Sequence, residues 1–122
     1  MPQYFVKVIL RLVNDSDGSP LDGPGFYVRL YDQDPFVEDF LGEAVVRVGR
    51  AEILFDIDRV RSFDSPSEKR PDLFFLVFEH GEEIYRSQVE VGHDFLSPDP
   101  RTGIRRSLTK DLGEFRVQAR TR

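Results

Sequence analysis

A chain of 122 residues with 17 Lys and Arg against 22 Asp and Glu carries a formal net charge of -5, which argues against a broad basic footprint for nucleic acid. It contains no Cys, so a disulfide framework, a thiolate metal site and a Cys nucleophile are all excluded. The length suits one domain with one ordinary core, and 39% hydrophobic residues, 11 of the side chains being Phe, make the composition that of a folded chain.

We therefore expect a single domain over residues 1–122, with a basic loop and a C-terminal strand at 92–122. Lys7 and Arg11 interrupt the first apolar run, so the start does not read as a cleaved signal peptide. No apolar run approaches the roughly 18 residues of a membrane helix. These features and the absence of Cys make cytoplasmic the expected location.

In chain order, Tyr4 to Val13 sets Val6, Val8, Leu10 and Leu12 on one face against Lys7, Ile9 and Arg11 on the other, the period of a half-buried strand. Residues 14–25 are turn chemistry almost throughout, rich in Asn, Asp, Ser, Gly and Pro. Phe26, Val28 and Leu30 then alternate with Tyr27, Arg29 and Tyr31. Of that outward set, Tyr27 and Tyr31 flanking Arg29 read as a half-covered second face more readily than as a contact surface. Gly42 to Val48 reads as a strand with Ala44 and Val46 inward, and Gly49-Arg50 as a short turn into a strand over 51–56, so the two are expected to form a hairpin.

Residues 56–71 have room for one helical turn and a charged loop. Leu73 to Phe78 is apolar on both faces, as a strand covered on both sides at the centre of a sheet would be. His80-Gly81 marks a hairpin turn into a strand over 84–91. Residues 92–112 read mostly as loop, with a short extended piece near 104–108, and 114–118 as a last strand. The expected fold is all-β, a two-sheet antiparallel sandwich of about seven or eight strands. Its core is drawn from Val6, Val8, Leu10, Phe26, Val28, Leu30, Ala44, Val46, Ile53, Phe55, Leu73, Phe75, Val77, Ile84, Phe115 and Val117.

The densest chemical signal is the acidic stretch from Tyr31 to Glu43. One reading puts Asp32, Asp34, Glu38 and Asp39 in an exposed loop that caps turns and keeps strand ends solvated. The sharper reading is a calcium site built by Asp32, Asp34 and Asp39, because Ca²⁺ takes six to eight oxygens and closely spaced carboxylates supply them. Strands alternating in direction would bring these acids to the same end as Asp56, Asp58, Asp64, His93 and Asp94, and such a cluster invites a cation, a basic partner or splayed loops.

Other catalytic signals are weak. Ser62, Ser65, Ser67 and Ser87 lack a Gly-x-Ser-x-Gly setting, and Gly23-Pro24-Gly25 is not followed by a helix as a phosphate loop would be. The basic positions Arg101, Arg105, Arg106, Lys110, Arg116, Arg120 and Arg122 read first as a solvated loop and tail that pair with the chain's own excess acids.

The run Leu30-Tyr31-Asp32, Gln33-Asp34-Pro35, Leu41-Gly42-Glu43-Ala44 and then Arg70 to Phe78 resembles the transthyretin-like β-sandwich domains over about residues 4–91. That resemblance implies a sandwich of seven or eight strands and a binding or accessory role. The Asp-x-Asp…Asp-Phe-Leu-Gly pattern is similar to calcium-dependent membrane-targeting sandwich domains, which implies Asp32, Asp34 and Asp39 as the calcium-coordinating positions. Signatures of two enzymes on the sandwich fold are missing. Hydroxyisourate hydrolase ends in Tyr-Arg-Gly-Ser, where this chain ends Phe115 to Arg122; the intradiol dioxygenases hold iron with two Tyr and two His, and His80 and His93 give no such spacing.

The sequence thus leads to a non-catalytic binding or assembly module that meets protein partners through loops or an edge strand, with no cofactor, no nucleic acid and homodimerisation as the simplest assembly. The alternatives are a calcium-dependent module using the acidic 32–39 stretch, which alone would bring a membrane into play, and an enzyme with a site at the loop end.

Overall fold

The computed structural model describes residues 5–33, 38–56, 72–89 and 109–120. They form seven strands: β1 (Phe5–Asn14), β2 (Phe26–Gln33), β3 (Glu38–Val45), β4 (Arg50–Asp56), β5 (Leu73–Glu79), β6 (Glu82–Arg86) and β7 (Thr109–Val117). Two sheets result, one ordered β4-β1-β7 and the other β3-β2-β5-β6. This is the all-β sandwich that the alternating runs require. No helix among the described residues is long and apolar enough to cross a membrane.

The alternation in β1 is complete, with Val6, Val8, Leu10 and Leu12 all buried. Val28 and Leu30 from β2, Ile53 and Phe55 from β4, and Leu73, Phe75 and Val77 from β5 meet them between the sheets. Ring contacts tighten one side of this interior: Phe75 lies 4.8 Å from Phe115 edge to face and 5.8 Å from Tyr85. Leu12, Leu21 and Ala51 join the core beyond the residues expected there, whereas Phe26, Ala44, Ile84 and Phe115 are only partly buried at its margin.

Several expectations are corrected. The strands either side of Gly49 do not form a hairpin: β3 and β4 lie in different sheets, joined locally by one bridge between Arg47 and Arg50. The backbone bonds explain the divergence. Val46 N–H donates to Phe26 at 3.0 Å on β2, while the Leu12 N–H donates to Gly49 at 2.6 Å on β1, so the chain changes sheets within three residues. Gly49, at φ 76, leaves no room for a side chain, since a Cβ there would stand 2.8 Å from Pro20 Cβ and 3.0 Å from the Leu12 oxygen.

β3 begins at Glu38 rather than Gly42, which takes Glu38 and Asp39 out of a loop and into the ladder with β2. A bulge between Leu30 and Tyr31 leaves Leu41 without a register partner and buries it, the extra-residue geometry by which a strand re-aims a side chain. β6 stops at Arg86, shorter than the span expected to run to Val91. β7 starts at Thr109, earlier than the span beginning at Glu114. It pairs in parallel with β1, because in a chain of seven strands alternating in direction the first and last point the same way. The expected helical turn within 56–71 and the extended piece near 104–108 lie outside the described residues.

The His80-Gly81 turn is as expected. Both residues have positive φ, 49 and 84, the two-residue form whose twist matches a hairpin, and Glu79 pairs with Glu82 across it.

Phe75 is 1% exposed at the centre of these contacts. Phe75→Ala is expected to lower unfolding free energy by about 3 to 5 kcal/mol, whereas Leu54→Ala, 61% exposed, should change it by no more than about 0.5 kcal/mol. Urea denaturation of both variants checks this.

Candidate functional site

The two outer faces of the sandwich differ in chemistry. On the outer face of β4-β1-β7, charges answer one another: Lys7 meets Glu52 at 3.3 Å, Arg50 meets Glu52 at 3.4 Å, and Arg11 meets Asp111 at 2.8 Å. Arg116 closes a further pair with Asp15 at 3.1 Å. The hydrogen bond from Arg11 holds the Asp111 carboxyl below the usual aspartate range, helped by the Gly113 N–H. The hydrogen bond from Lys7 does the same for Glu52. Exposed Phe5 and Leu54 lie among these pairs on the same face.

The outer face of β3-β2-β5-β6 is built from rings and guanidinium groups. Register fixes its rows. Val45, Tyr27 and Phe78 lie side by side on β3, β2 and β5; Glu43, Arg29 and Leu76 form the next row; Phe40, Tyr31 and Phe74 form the third. Tyr27 stacks on Phe78 with centroids 4.9 Å apart, and Tyr31 on Phe74 at 5.2 Å, while Phe40 meets Tyr31 edge to face at 5.7 Å. Such pairs contribute about 0.5 to 1.5 kcal/mol each beyond the area they bury. Phe74, stacked under Tyr31, and Leu76, set between Arg29 and Arg86 in register, point away from the core and are nevertheless 1% and 8% exposed.

Two arginines lie on this ring layer. Arg86 sits 4.6 Å over Phe74 and is neutralised by Glu38 at 2.8 Å. Arg29 lies 4.5 Å over Phe40 and 5.9 Å from Tyr31, and its Nε is buried without a hydrogen-bond partner. Among the described residues no carboxylate pairs with Arg29; Glu43, beside it in register, is exposed and forms no ion pair. A guanidinium offers five donors, and among the described residues this partly covered one has no anion.

The acidic residues singled out in the sequence divide. Asp32 and Asp39 are brought together as register partners at one end of β2 and β3. Asp32 is 3% exposed and accepts a hydrogen bond from Asp72 N–H at 3.0 Å. Asp39 has a buried Oδ2 with no partner. Both lie within strands, which overturns the exposed-loop reading for them, since the β2–β3 ladder extends through Gln33 and Glu38. Asp34, the third expected calcium ligand, lies outside the described residues, as do Asp58, Asp64, His93 and Asp94. Among the described residues no three acidic or histidine side chains are grouped to hold a metal ion.

Among the described residues, cavities open beside the interior. An opening of about 200 Å³ between the β6 and β7 edges is lined by Phe75, Tyr85, Leu112 and Phe115 and by the polar Ser87 and Gln88. A wider cleft of about 730 Å³ beside the β1–β2 connection includes Asp17, Asp22 and His80, but Asp17 is engaged by Ser19 and Asp22 by the Val48 N–H.

The reading of Tyr27, Arg29 and Tyr31 as a half-covered second face identified the centre of the ring layer. Phe40, Phe74, Phe78 and Arg86 were not recognised as its companions. Their only local signal is the two-residue spacing of Phe74 and Phe78 around Leu76.

No protein-family model matches the chain, and no curated protein does. Among solved structures it is similar to part of a 9R-lipoxygenase from Cyanothece PCC8801, with a TM-score of 0.57 and 20% identity over 93% of this chain and 16% of that one. The chain thus spans about a sixth of the length of that protein, and the likeness supports the β-sandwich fold alone.

The charged face carries a pH signature. Asp111 and Glu52 have folded pKa values below their unfolded ones, so their contribution to stability is complete above the ordinary carboxylate range and is lost as pH falls through the lowered values. A carbon-detected NMR titration should give Asp111 a midpoint below that of a free aspartate, and Arg11→Ala should move it upward.

Proposed function

We propose that this chain is a non-catalytic binding or assembly module that works through protein–protein contacts. The observation that carries this reading is Arg29, a guanidinium without an anion at the centre of a ring-covered sheet face, beside exposed Val45 and Glu43. Interface centres are enriched in Tyr, Phe and Arg, which offer large rigid contact areas and bidentate donors. On the opposite outer face the cations Lys7, Arg11 and Arg50 already have carboxylate partners. The contact surface in this reading is therefore a sheet face instead of the loops or edge strand expected from sequence. The transthyretin-like resemblance agrees with an accessory role, and the two-sheet build of seven strands is compatible with it. A net charge of -5 gives no support to nucleic acid as a partner.

A second reading, calcium-dependent binding, draws on a separate observation. Asp32 and Asp39 face each other across the β2–β3 ladder, and Asp39 has an unsatisfied buried oxygen. With Asp34 they would supply hard oxygen ligands of the kind calcium prefers.

Quantitative affinity capture separates the two outer faces. A Tyr27→Ser/Arg29→Ser bait should lose the proteins captured by the native chain, and a Lys7→Ser/Glu52→Ser bait should retain them. Equal recovery by all three baits contradicts the binding-face reading. For calcium, the melting temperature of the native chain should rise at millimolar calcium and fall back with chelator, and Asp32→Asn/Asp39→Asn should abolish the response; an unchanged melting temperature in the native chain excludes that reading.

A further inference from the structure

The rows across β3 and β2 have a property that identifies their occupant. Read from one strand to the other they are Val45 beside Tyr27, Glu43 beside Arg29, and Phe40 beside Tyr31. The middle row holds two opposite charges that are neighbours yet unpaired, because the Arg29 guanidinium leans over the Phe40 ring. An apolar or aromatic row lies on either side of it.

A two-fold axis parallel to the strands and running between β2 and β3 reverses each row onto itself. Val45 then faces Tyr27 of a second copy, Phe40 faces Tyr31, and Glu43 faces Arg29, each contact occurring twice. Isologous interfaces require this kind of self-complementarity. Packed sheets cross at about 30°, so the middle row, at the crossing point, keeps the closest match.

We propose that the outer face of β2 and β3 is the contact surface for a second copy of this chain, with Glu43 of each copy set against Arg29 of the other. The inference rests on the reading of this face as a protein-binding surface and supplies its partner. Charge complementarity favours a second copy over an unrelated acidic segment, because the face presents its own free carboxylate beside its free guanidinium. An acidic partner alone would answer Arg29 and leave Glu43 opposed by like charge. The flanking rings exclude water around the pair, where an ion pair with good geometry counts for more than at an open surface.

Sedimentation equilibrium over a concentration series tests this. The native chain is expected to dimerise, more weakly at high salt. Arg29→Glu and Glu43→Arg should each raise the dissociation constant by about tenfold or more. Val45→Arg, at a position 49% exposed, should do the same while leaving the far-ultraviolet circular dichroism spectrum unchanged, so that a loss of association is separable from a loss of folding. A native chain that stays monomeric throughout the series overturns the proposal, as does a dimer that none of the three variants weakens. A monomer that still captures other proteins through Tyr27 and Arg29 would refute the second copy and leave the binding-face reading standing.

Discussion

β5 is apolar on both faces, but a two-layer sandwich has one interior, and that mismatch shapes the molecule. Leu73, Phe75 and Val77 fill the core, while Phe74 and Leu76 face the other way and are as thoroughly hidden. Exposing two large apolar side chains would forfeit about 1.5 to 3 kcal/mol each. The chain hides them under its own rings: Tyr31 stacks on Phe74, Arg86 lies over the same ring, and Tyr27 and Phe78 close the next row. Within this layer Arg29 has no carboxylate partner among the described residues.

The rest of the architecture holds that layer flat and in register. β2 and β6 flank β5, and β3 completes the sheet. Behind it β1 binds β4 and β7, and the parallel return of β7 ties the end of the described chain to its beginning. On the β3–β4 side the sheets approach closely, where a Cβ on Gly42 would stand 2.9 Å from Ile53 Cγ2. The Gly49 crossing sits on the same side, tied through hydrogen bonds to β1 and to the β1–β2 connection. On the far side the interior opens into the small gap between β6 and β7. The two outer faces differ in their cations: Lys7, Arg11 and Arg50 have carboxylate partners on one, while on the other Arg86 pairs with Glu38 and Arg29 has no carboxylate partner among the described residues.

Much of the fold was legible in the sequence, because a period of two records which face of a strand is buried. Val6, Val8, Leu10, Val28, Leu30, Ile53 and Phe55 were readable as core for that reason, and the continuous apolar run of β5 marked a strand covered on both sides. Sheet membership was not legible. Gly49-Arg50 looks like any hairpin turn, and what separates β3 from β4 is hydrogen bonding to Phe26 on one side and Leu12 on the other, which no local pattern encodes. The ring layer was half legible. Tyr27, Arg29 and Tyr31 alternate visibly, but Phe40 reaches Tyr31 through a ladder that begins inside a stretch whose charge reads as loop. The same ladder moved Asp32 and Asp39 from an exposed loop into facing strand positions.

The central claim is that Arg29 and Glu43 complement each other between two copies rather than within one. Native mass spectrometry of a mixture of the Arg29→Glu and Glu43→Arg variants addresses it most directly. Each variant alone sets like charge against like across the two-fold axis, whereas one of each restores opposite charges at both crossings. The expected result is monomer from either variant alone and a heterodimer from the mixture. A mixture that remains monomeric, or homodimers from either variant as abundant as the heterodimer, would contradict the account.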